Sequence, residues 1–121
     1  MQKDDLQNIL ALASNLYERK ADDIKLLNVR HLTVLTDYLL ICTGSNEPHT
    51  KALAEFIDGK AAEMGYELRR KEGAAEGRWI VLDYGFFIIH IFHPQDREYY
   101  RLDKLWEDGD NSPELPFSQE Q

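Results

Sequence analysis

Two apolar segments joined by a short turn limit the possible folds of this chain more than any other feature. Trp79–Leu82 and Phe86–Phe92 are apolar runs of strand length, and Asp83-Tyr84-Gly85 stands between them. This pattern predicts a β-hairpin, and a type I turn with Gly85 in a bulge is favoured over a two-residue loop that would strain Tyr84. In either register both faces of the strands carry large apolar side chains. We therefore expect both strands to be central in a sheet.

The other segments supply helices that can cover such a sheet. Apolar residues at helical spacing predict a first helix over Gln2–Lys20 and a second helix that begins near Pro48 and stops at Gly65. Pro94 opens a last helix, which carries Tyr99, Leu102 and Trp106 on one side. Three further strands are predicted, at Ile24–Val29, Tyr38–Cys42 and Tyr66–Arg70. The predicted order is α-β-β-α-β-β-β-α, an α/β (α+β) fold with a mixed sheet flanked by helices.

The end of the chain differs in composition from the rest. From Gly109 onward it contains Asp, Asn, Ser and two prolines and lacks apolar periodicity. We interpret residues 1–107 as one domain and residues 108–121 as a flexible acidic tail. The tail is expected to contribute nothing to a packed core and to be dispensable for binding a partner.

The charge of the chain restricts its partners. A net charge of −8 over 121 residues argues against binding bare nucleic acid, because neutralising phosphates requires a basic surface. A basic protein is the better expectation. The single cysteine, Cys42, allows no intramolecular disulfide, no segment reaches the ~20 apolar residues of a membrane span, and Met1–Asp5 is unlike a secretory signal. These features predict a cytoplasmic protein that does not contact membranes.

Two groups of reactive side chains have simpler structural interpretations. His90, His93 and Asp96 could hold a metal ion, but on a strand the two histidines point to opposite faces. We expect His90 to pack on the sheet and His93 to cap the last helix, with no metal site. Cys42 has His49 nearby but lies in the apolar run after Leu39, where burial makes a thiol inert.

A possible phosphate loop is the one feature that suggests an enzyme. Thr43-Gly44-Ser45 connects a predicted strand to a predicted helix, where backbone amides can bind phosphate. A nucleotidyltransferase would also need closely spaced carboxylates on a following strand to hold magnesium. That region offers Glu67 followed by the basic residues Arg69, Arg70 and Lys71. The sequence therefore favours a protein without catalytic residues or a cofactor.

Aromatic and acidic residues gather around the hairpin. Trp79, Asp83 and Tyr84 are close in sequence, and Glu72 precedes them in a Gly-rich segment predicted to be a loop. One interpretation is structural, with a core Trp, a turn Asp and a surface Tyr. The other is a protein-binding surface, because aromatic residues beside charges at one end of a sheet are typical of interface hot spots. Composition leaves both open.

An ordered set of segments resembles the Iojap/RsfS family of ribosomal silencing factors. The resemblance runs from about Leu6 to Trp106, and no single segment carries it. The matching segments are Leu35-Thr36-Asp37-Tyr38-Leu39-Leu40-Ile41-Cys42-Thr43-Gly44-Ser45, His49 with Lys51-Ala52, Glu72-Gly73, Gly77-Arg78-Trp79-Ile80-Val81-Leu82-Asp83-Tyr84-Gly85, Ile89-His90-Ile91-Phe92, Arg97, Tyr99-Tyr100, Leu102 and Leu105-Trp106.

The resemblance implies a fold like a nucleotidyltransferase core that lacks the catalytic carboxylates. It implies a non-enzymatic translational repressor that binds ribosomal protein number fourteen of the large subunit. Bound there, the factor sterically blocks association with the small subunit, especially under nutrient limitation. The family is also linked to late assembly of the large subunit, and its members often form homodimers.

The resemblance also implies a contact surface. It points to Trp79, Asp83 and Tyr84 at the end of the sheet. The further candidates for partner contact are Asp37, Tyr38, Glu72, His90 and Arg97. Phe86 stands where many relatives place a carboxylate, so this chain lacks one possible polar contact. The competing hypotheses are a nucleotide-using enzyme of the nucleotidyltransferase type and a general assembly factor for the large subunit.

Overall fold

In a computed structural model that describes residues 5–119, the central element is a mixed sheet of five strands. The elements follow one another as α1 Asp5–Glu18, β1 Asp22–Asn28, β2 Tyr38–Thr43, α2 Glu47–Glu63, β3 Arg70–Glu72, β4 Trp79–Asp83, β5 Phe87–Phe92, α3 Pro94–Tyr100 and α4 Leu102–Trp106. The predicted mixed sheet flanked by helices is confirmed. The first helix was predicted to start at Gln2, and that part of the prediction lies outside the described residues.

The sheet has the strand order β1-β2-β5-β4-β3. β5 pairs in parallel with β2 on one side and antiparallel with β4 on the other, so the predicted hairpin is confirmed and its strands are internal. β1 and β3 are the two edges. A parallel pair needs a crossover, and α2 supplies it between β2 and the following antiparallel strands.

The two faces of the sheet are covered differently. The helical face carries the larger core cluster, in which Leu82, Phe87 and Ile89 contact the apolar stripes of α1 and α2. Because side chains alternate along a strand, the neighbours of these residues point to the opposite side. We call that side the open face; its residues are Leu39, Ile41, Trp79, Val81, Asp83, Ile88, His90 and Phe92. Leu102 and Trp106 of α4 cover part of it.

The sheet edge after α2 is shorter than predicted. Strand pairing begins at Arg70 and includes Glu72, which was predicted to lie in a loop, whereas Tyr66–Arg70 was the predicted strand. The reason is that Tyr66 and Leu68 turn toward the core, where Tyr66 packs edge-on against Phe87. Both side chains are partly buried there, and bonding to β4 begins at the Arg69 N–H, which donates to the carbonyl of Asp83.

The predicted last helix is two short helices. Arg101 stands between α3 and α4 with φ of 49°, a left-handed conformation that ends α3. The backbone N–H of Arg101 still bonds to the carbonyl of Arg97, and the chain then changes direction. Through this break, Leu102 and Trp106 lie on the open face while Asp103 reaches the buried Arg97.

The hairpin turn also differs from the type I turn that was predicted. Tyr84 N–H bonds to the carbonyl of Phe87, so Gly85 and Phe86 form a two-residue connection. Gly85 has φ of +94°, which glycine adopts without strain because it has no Cβ. It occupies the first central position of the turn, as in a type II′ turn. The strain expected at Tyr84 is avoided because the loop lies one residue later.

The C-terminal residues are part of the fold, so the prediction that they contribute nothing to the core is wrong. Leu115 and Phe117 pack against the larger core cluster, and Phe117 stacks on Tyr17 with ring centroids 4.5 Å apart. Asn111 is buried, and its side-chain amide donates to the carbonyls of Asn28 and Trp106 at 3.0 and 2.9 Å. These contacts join the segment to β1, α1 and α4.

We predict that Asn111→Ala lowers the free energy of unfolding by about 1–3 kcal/mol, because it leaves buried backbone carbonyls without their donor. Urea unfolding followed by circular dichroism measures the change. Asp110→Ala is the matched control, since its side chain is exposed, and should stay within about 0.5 kcal/mol of the parent. Equal effects in the two variants would show that the segment is not anchored through Asn111.

Candidate protein-binding face

Trp79 lies on the open face at the first residue of β4, opposite Phe92 of β5, and is half-buried. Its indole N–H donates to His90 Nδ1 at 3.0 Å, and its ring packs against Phe92 and Tyr100 with centroids 4.8 and 4.7 Å apart. The residue therefore combines the two interpretations left open by the sequence. It holds neighbouring rings in place and still presents part of an aromatic surface to solvent.

His90 is held in its neutral form by this environment. Its Nδ1 accepts from Trp79, which places the ring proton on Nε2. Burial lowers the pKa of His90 from about 6.5 to about 4, and the nearby Asp83 carboxylate opposes that effect. The expectation that His90 packs on the sheet is confirmed, and at neutral pH it adds no charge to the open face.

Three of the predicted contact residues form an acidic border around the open face. Asp83 lies on β4 directly opposite Arg70 of the edge strand β3. Glu72 lies on β3, two residues after Arg70. Asp37 precedes β2 at the hairpin end of the sheet, where its backbone N–H bonds to the carbonyl of Phe86. Their side chains are at least partly exposed, so the border presents negative charge.

Arginine side chains pair with two of these acids. Arg70 contacts Glu72 at 2.6 Å, and Arg30 lies 3.7 Å from Asp37. Both arginine side chains are more than half exposed, and such exposed pairs contribute little to stability. The acids can therefore exchange these partners for the cations of another protein at low cost.

Two of the predicted contact residues do not lie on the open face. Tyr38 and Tyr84 are 4% and 5% exposed and belong to the core on the helical face. The hydroxyl of Tyr84 donates to Asp58 of α2, and its ring stacks on Phe87. Burial, followed by the Asp58 carboxylate, raises the pKa of Tyr84. The sequence interpretation of Tyr84 as a surface residue is thus wrong, because the turn begins one residue later.

Arg97 is also internal, and it holds elements together. Its guanidinium donates to Thr43 Oγ1 at 2.8 Å and lies 3.2 Å from Asp23 and 3.5 Å from Asp103. Lys25 reaches the same Asp103 at 3.2 Å. The pKa of Asp103 is lowered by Arg97 and Lys25 against the opposing effect of burial. This network fixes α3 and α4 to the ends of β1 and β2.

The loop before β2 supplies exposed apolar residues that the sequence interpretation missed. Val34 and Leu35 are 102% and 79% exposed. Leu35 borders a cavity of about 160 Å³ whose other walls include Leu39, Ile88 and Trp106. The sequence feature that could have indicated this surface is the group of three apolar residues, Leu32, Val34 and Leu35, in a short connection between two strands.

The possible phosphate loop is occupied by contacts within the protein. The amide of Ser45 donates to His49 Nδ1 and that of Gly44 to the carbonyl of Phe92, while Asn46 caps α2. A Cβ at Gly44 would lie 2.7 Å from the Thr50 methyl carbon. Close packing of the turn against α2 therefore explains this glycine without a ligand.

The other candidate reactive residues also have internal roles. His93 caps α3 by accepting from the amide of Gln95, as predicted, and Asp96 pairs with Arg78 at 2.6 Å. Cys42 is fully buried, as predicted, and burial raises the pKa of its thiol to about 12. Among residues 5–119 no helix combines the length and apolar composition of a membrane span, and no cluster of three or more metal-binding side chains occurs.

Comparisons with known proteins give consistent matches over most of the chain. A family model described as "Ribosomal silencing factor during starvation" matches residues 2–121. The ribosomal silencing factor RsfS of Halalkalibacterium halodurans is 38% identical over 104 residues, covering 85% of this chain and 89% of that protein. The mouse "Mitochondrial assembly of ribosomal large subunit protein 1" is 30% identical, covering 78% of this chain and 43% of that protein.

A solved structure has the same fold. The crystal structure of a protein from Chromobacterium violaceum superposes with a TM-score of 0.79 at 28% identity, and the alignment covers 98% of this chain and 96% of that one. The match extends over the C-terminal segment as well as the sheet and its helices. The similarity therefore concerns the whole described fold.

We predict that acid reduces stability through His90. Its pKa in the folded state, about 4, lies below the ordinary 6.5, so the unfolded chain binds a proton between these values and the folded chain does not. Stability is therefore complete above pH 6.5 and is lost as pH falls toward 4, by about 3 kcal/mol in all.

His90→Asn keeps an acceptor for Trp79 but cannot titrate. Urea unfolding at pH 7 and pH 4 should show a smaller loss in the variant than in the parent, because the carboxylates contribute equally to both. Identical pH dependence in the two proteins would contradict the assignment of a buried neutral His90.

Proposed function

Because the chain belongs to the family of ribosomal silencing factors, we propose that it is a non-enzymatic protein that binds the large ribosomal subunit and sterically blocks its association with the small subunit. Family membership over nearly the whole chain is the observation that carries this proposal, and it confirms the resemblance seen in the sequence. The proposed consequence is repression of translation in the cytoplasm under nutrient limitation.

The proposed partner is ribosomal protein number fourteen of the large subunit, and the proposed contact is the open face. An interface of moderate affinity typically has an apolar centre with aromatic anchors and a polar border. Trp79 and the exposed Leu35 supply the centre, and Asp37, Glu72 and Asp83 supply an acidic border. A basic ribosomal protein complements that border, which favours fast association and a defined orientation.

Steric blocking requires only that the bound factor occupy space needed by the small subunit. No chemical step is involved, so the effect depends on occupancy. For one site, a free concentration 100 times the Kd leaves about 1% of large subunits unoccupied. The Kd and the amount of factor therefore set the extent of silencing, and a change that weakens the open face should reduce silencing as far as it lowers this occupancy.

The second candidate function is nucleotide chemistry. We propose that the core is like that of a nucleotidyltransferase but lacks the catalytic carboxylates. The internal bonds made by the Ser45 and Gly44 amides favour the non-enzymatic alternative. A thermal-shift titration with magnesium nucleotides separates the two, since a ligand at 100 times its Kd stabilises by ~2.7 kcal/mol. Stabilisation of that size would favour the enzyme.

A role in assembly of the large subunit is compatible with the same contact. The mouse relative carries such a role in its name. Silencing and assembly differ in the subunit that is bound, because an assembly factor prefers immature particles. Comparing binding to mature and to precursor large subunits would distinguish these functions.

We predict that the purified protein co-sediments with isolated large subunits and is excluded from assembled ribosomes. The physical reason is that one surface of the large subunit cannot contact both this protein and the small subunit. Sucrose-gradient sedimentation with separated subunits measures this directly. Recovery with small subunits or intact ribosomes at the same level would overturn the proposal.

We predict that loss of the apolar centre weakens large-subunit binding much more than loss of a border charge. Leu35→Ala and Trp79→Ala should each cost ≥ ~2 kcal/mol, about 30-fold in Kd. Asp83→Asn keeps an acceptor for the Gly85 amide and removes only the charge, so a loss of a few-fold that diminishes with salt is expected.

Glu55→Gln is the matched control, because it removes one negative charge from the exposed surface of α2 on the opposite side of the sheet. It should bind like the parent. Thermal melts must accompany Trp79→Ala, since that change also removes the hydrogen bond to His90. If Leu35→Ala and Asp83→Asn are folded and bind at parental strength, the contact lies elsewhere.

A further inference from the structure

The C-terminal segment, which we define as residues 111–119, covers the outer edge of β1. The side-chain amide of Gln119 accepts from the Ile24 N–H at 2.6 Å and donates to the Ile24 carbonyl at 2.9 Å. At the other end of the strand, the Asn28 N–H donates to the carbonyl of Asn111 at 2.8 Å, and the Asn111 amide returns a bond to the Asn28 carbonyl at 3.0 Å.

The covered groups belong to alternate residues of the strand. Between Ile24 and Asn28, the carbonyl of Leu26 accepts from the hydroxyl of Ser112 at 3.1 Å. Alternate residues of an edge strand direct their N–H and C=O groups outward. The C-terminal segment thus satisfies five outward groups of β1, and it does so mainly with amide and hydroxyl side chains.

The two edges of the sheet are protected in different ways. β3 is only three residues long, and its residues Arg70, Lys71 and Glu72 are charged and exposed, which discourages pairing with another strand. β1 is seven residues long and contains buried apolar residues, so it is the edge on which another strand could form a ladder. The C-terminal segment therefore covers the edge that could otherwise pair with another strand.

A second copy of β1 is the strand that fits this edge. If Leu26 is placed opposite Leu26 of an antiparallel second copy, Ile24 falls opposite Asn28 in both directions. These directly opposed residues exchange both of their backbone hydrogen bonds. The pairing therefore uses six backbone groups of β1, the N–H and carbonyl of Ile24, Leu26 and Asn28. Five of these six are the groups that now bond to Asn111, Ser112 and Gln119.

We infer that the C-terminal segment is a built-in competitor for strand addition, and that releasing it exposes β1 as an interface for a second copy of this chain. The segment is anchored to the rest of the protein by Phe117 stacked on Tyr17 and by the Tyr17 hydroxyl bond to the carbonyl of Ser118. Self-association through β1 is therefore governed by how firmly this segment is held. The inference is independent of ribosome binding.

The test compares the full chain with a chain that ends at Asp110, by sedimentation velocity over a range of concentrations. The truncated chain should self-associate at least tenfold more strongly. A synthetic peptide of residues 111–121 should reverse this association, whereas the same peptide with Asn111→Ala and Gln119→Ala should not. Equal self-association of the folded truncated chain and the full chain would overturn the inference.

Two further measurements keep the test decisive. Should the truncated chain fail to fold, full-length protein with Asn111→Ala and Gln119→Ala replaces it, and faster amide exchange at Ile24 and Asn28 together with stronger self-association is expected. Parental exchange and association would count against the inference. Leu35→Asp in the associating background should leave the association unchanged; its loss would place the contact on the open face and refute a β1 interface.

Discussion

Burial of β5 on both faces is the constraint on which the rest of the structure depends. Phe87, Ile89 and Ile91 contact the core beneath α1 and α2, while Phe92 belongs to the smaller cluster on the open face. A strand with large apolar groups on both sides must be internal and must be covered twice. Its parallel pairing with β2 then requires the α2 crossover, and its antiparallel pairing with β4 fixes Trp79 opposite Phe92.

The open face follows from an unequal supply of helices. α1 and α2 are 14 and 17 residues long and cover one side of the sheet, whereas α3 and α4 have 7 and 5 residues and cover only part of the other. The uncovered remainder includes Trp79 and the cavity beside Leu35. In a chain of net charge −8, an apolar surface with an acidic border is suited to a basic partner and poorly suited to RNA.

The parts of the fold that were predictable from the sequence are those determined by local periodicity. The hairpin strands, the Asn46 cap of α2 and the His93 cap of α3 depend on residues within one turn or one strand. The C-terminal segment was not predictable in this way, because Asn111 bonds to Asn28, which is 83 positions away. Tyr84 was misplaced for a related reason: a shift of one residue in the turn decides which face a side chain occupies.

Packing also determines the charge state of the buried titratable groups. Catalytic acids and bases are usually tuned toward the pH at which they work. Here burial moves such groups the other way: the pKa of His90 falls to about 4, and that of Cys42 rises to about 12. Each is also engaged or enclosed, His90 by the Trp79 indole and Cys42 by the core. Packing has thus fixed His90, the histidine of the open face, in its neutral form, which suits an apolar surface and leaves charge to the border residues Asp37, Glu72 and Asp83.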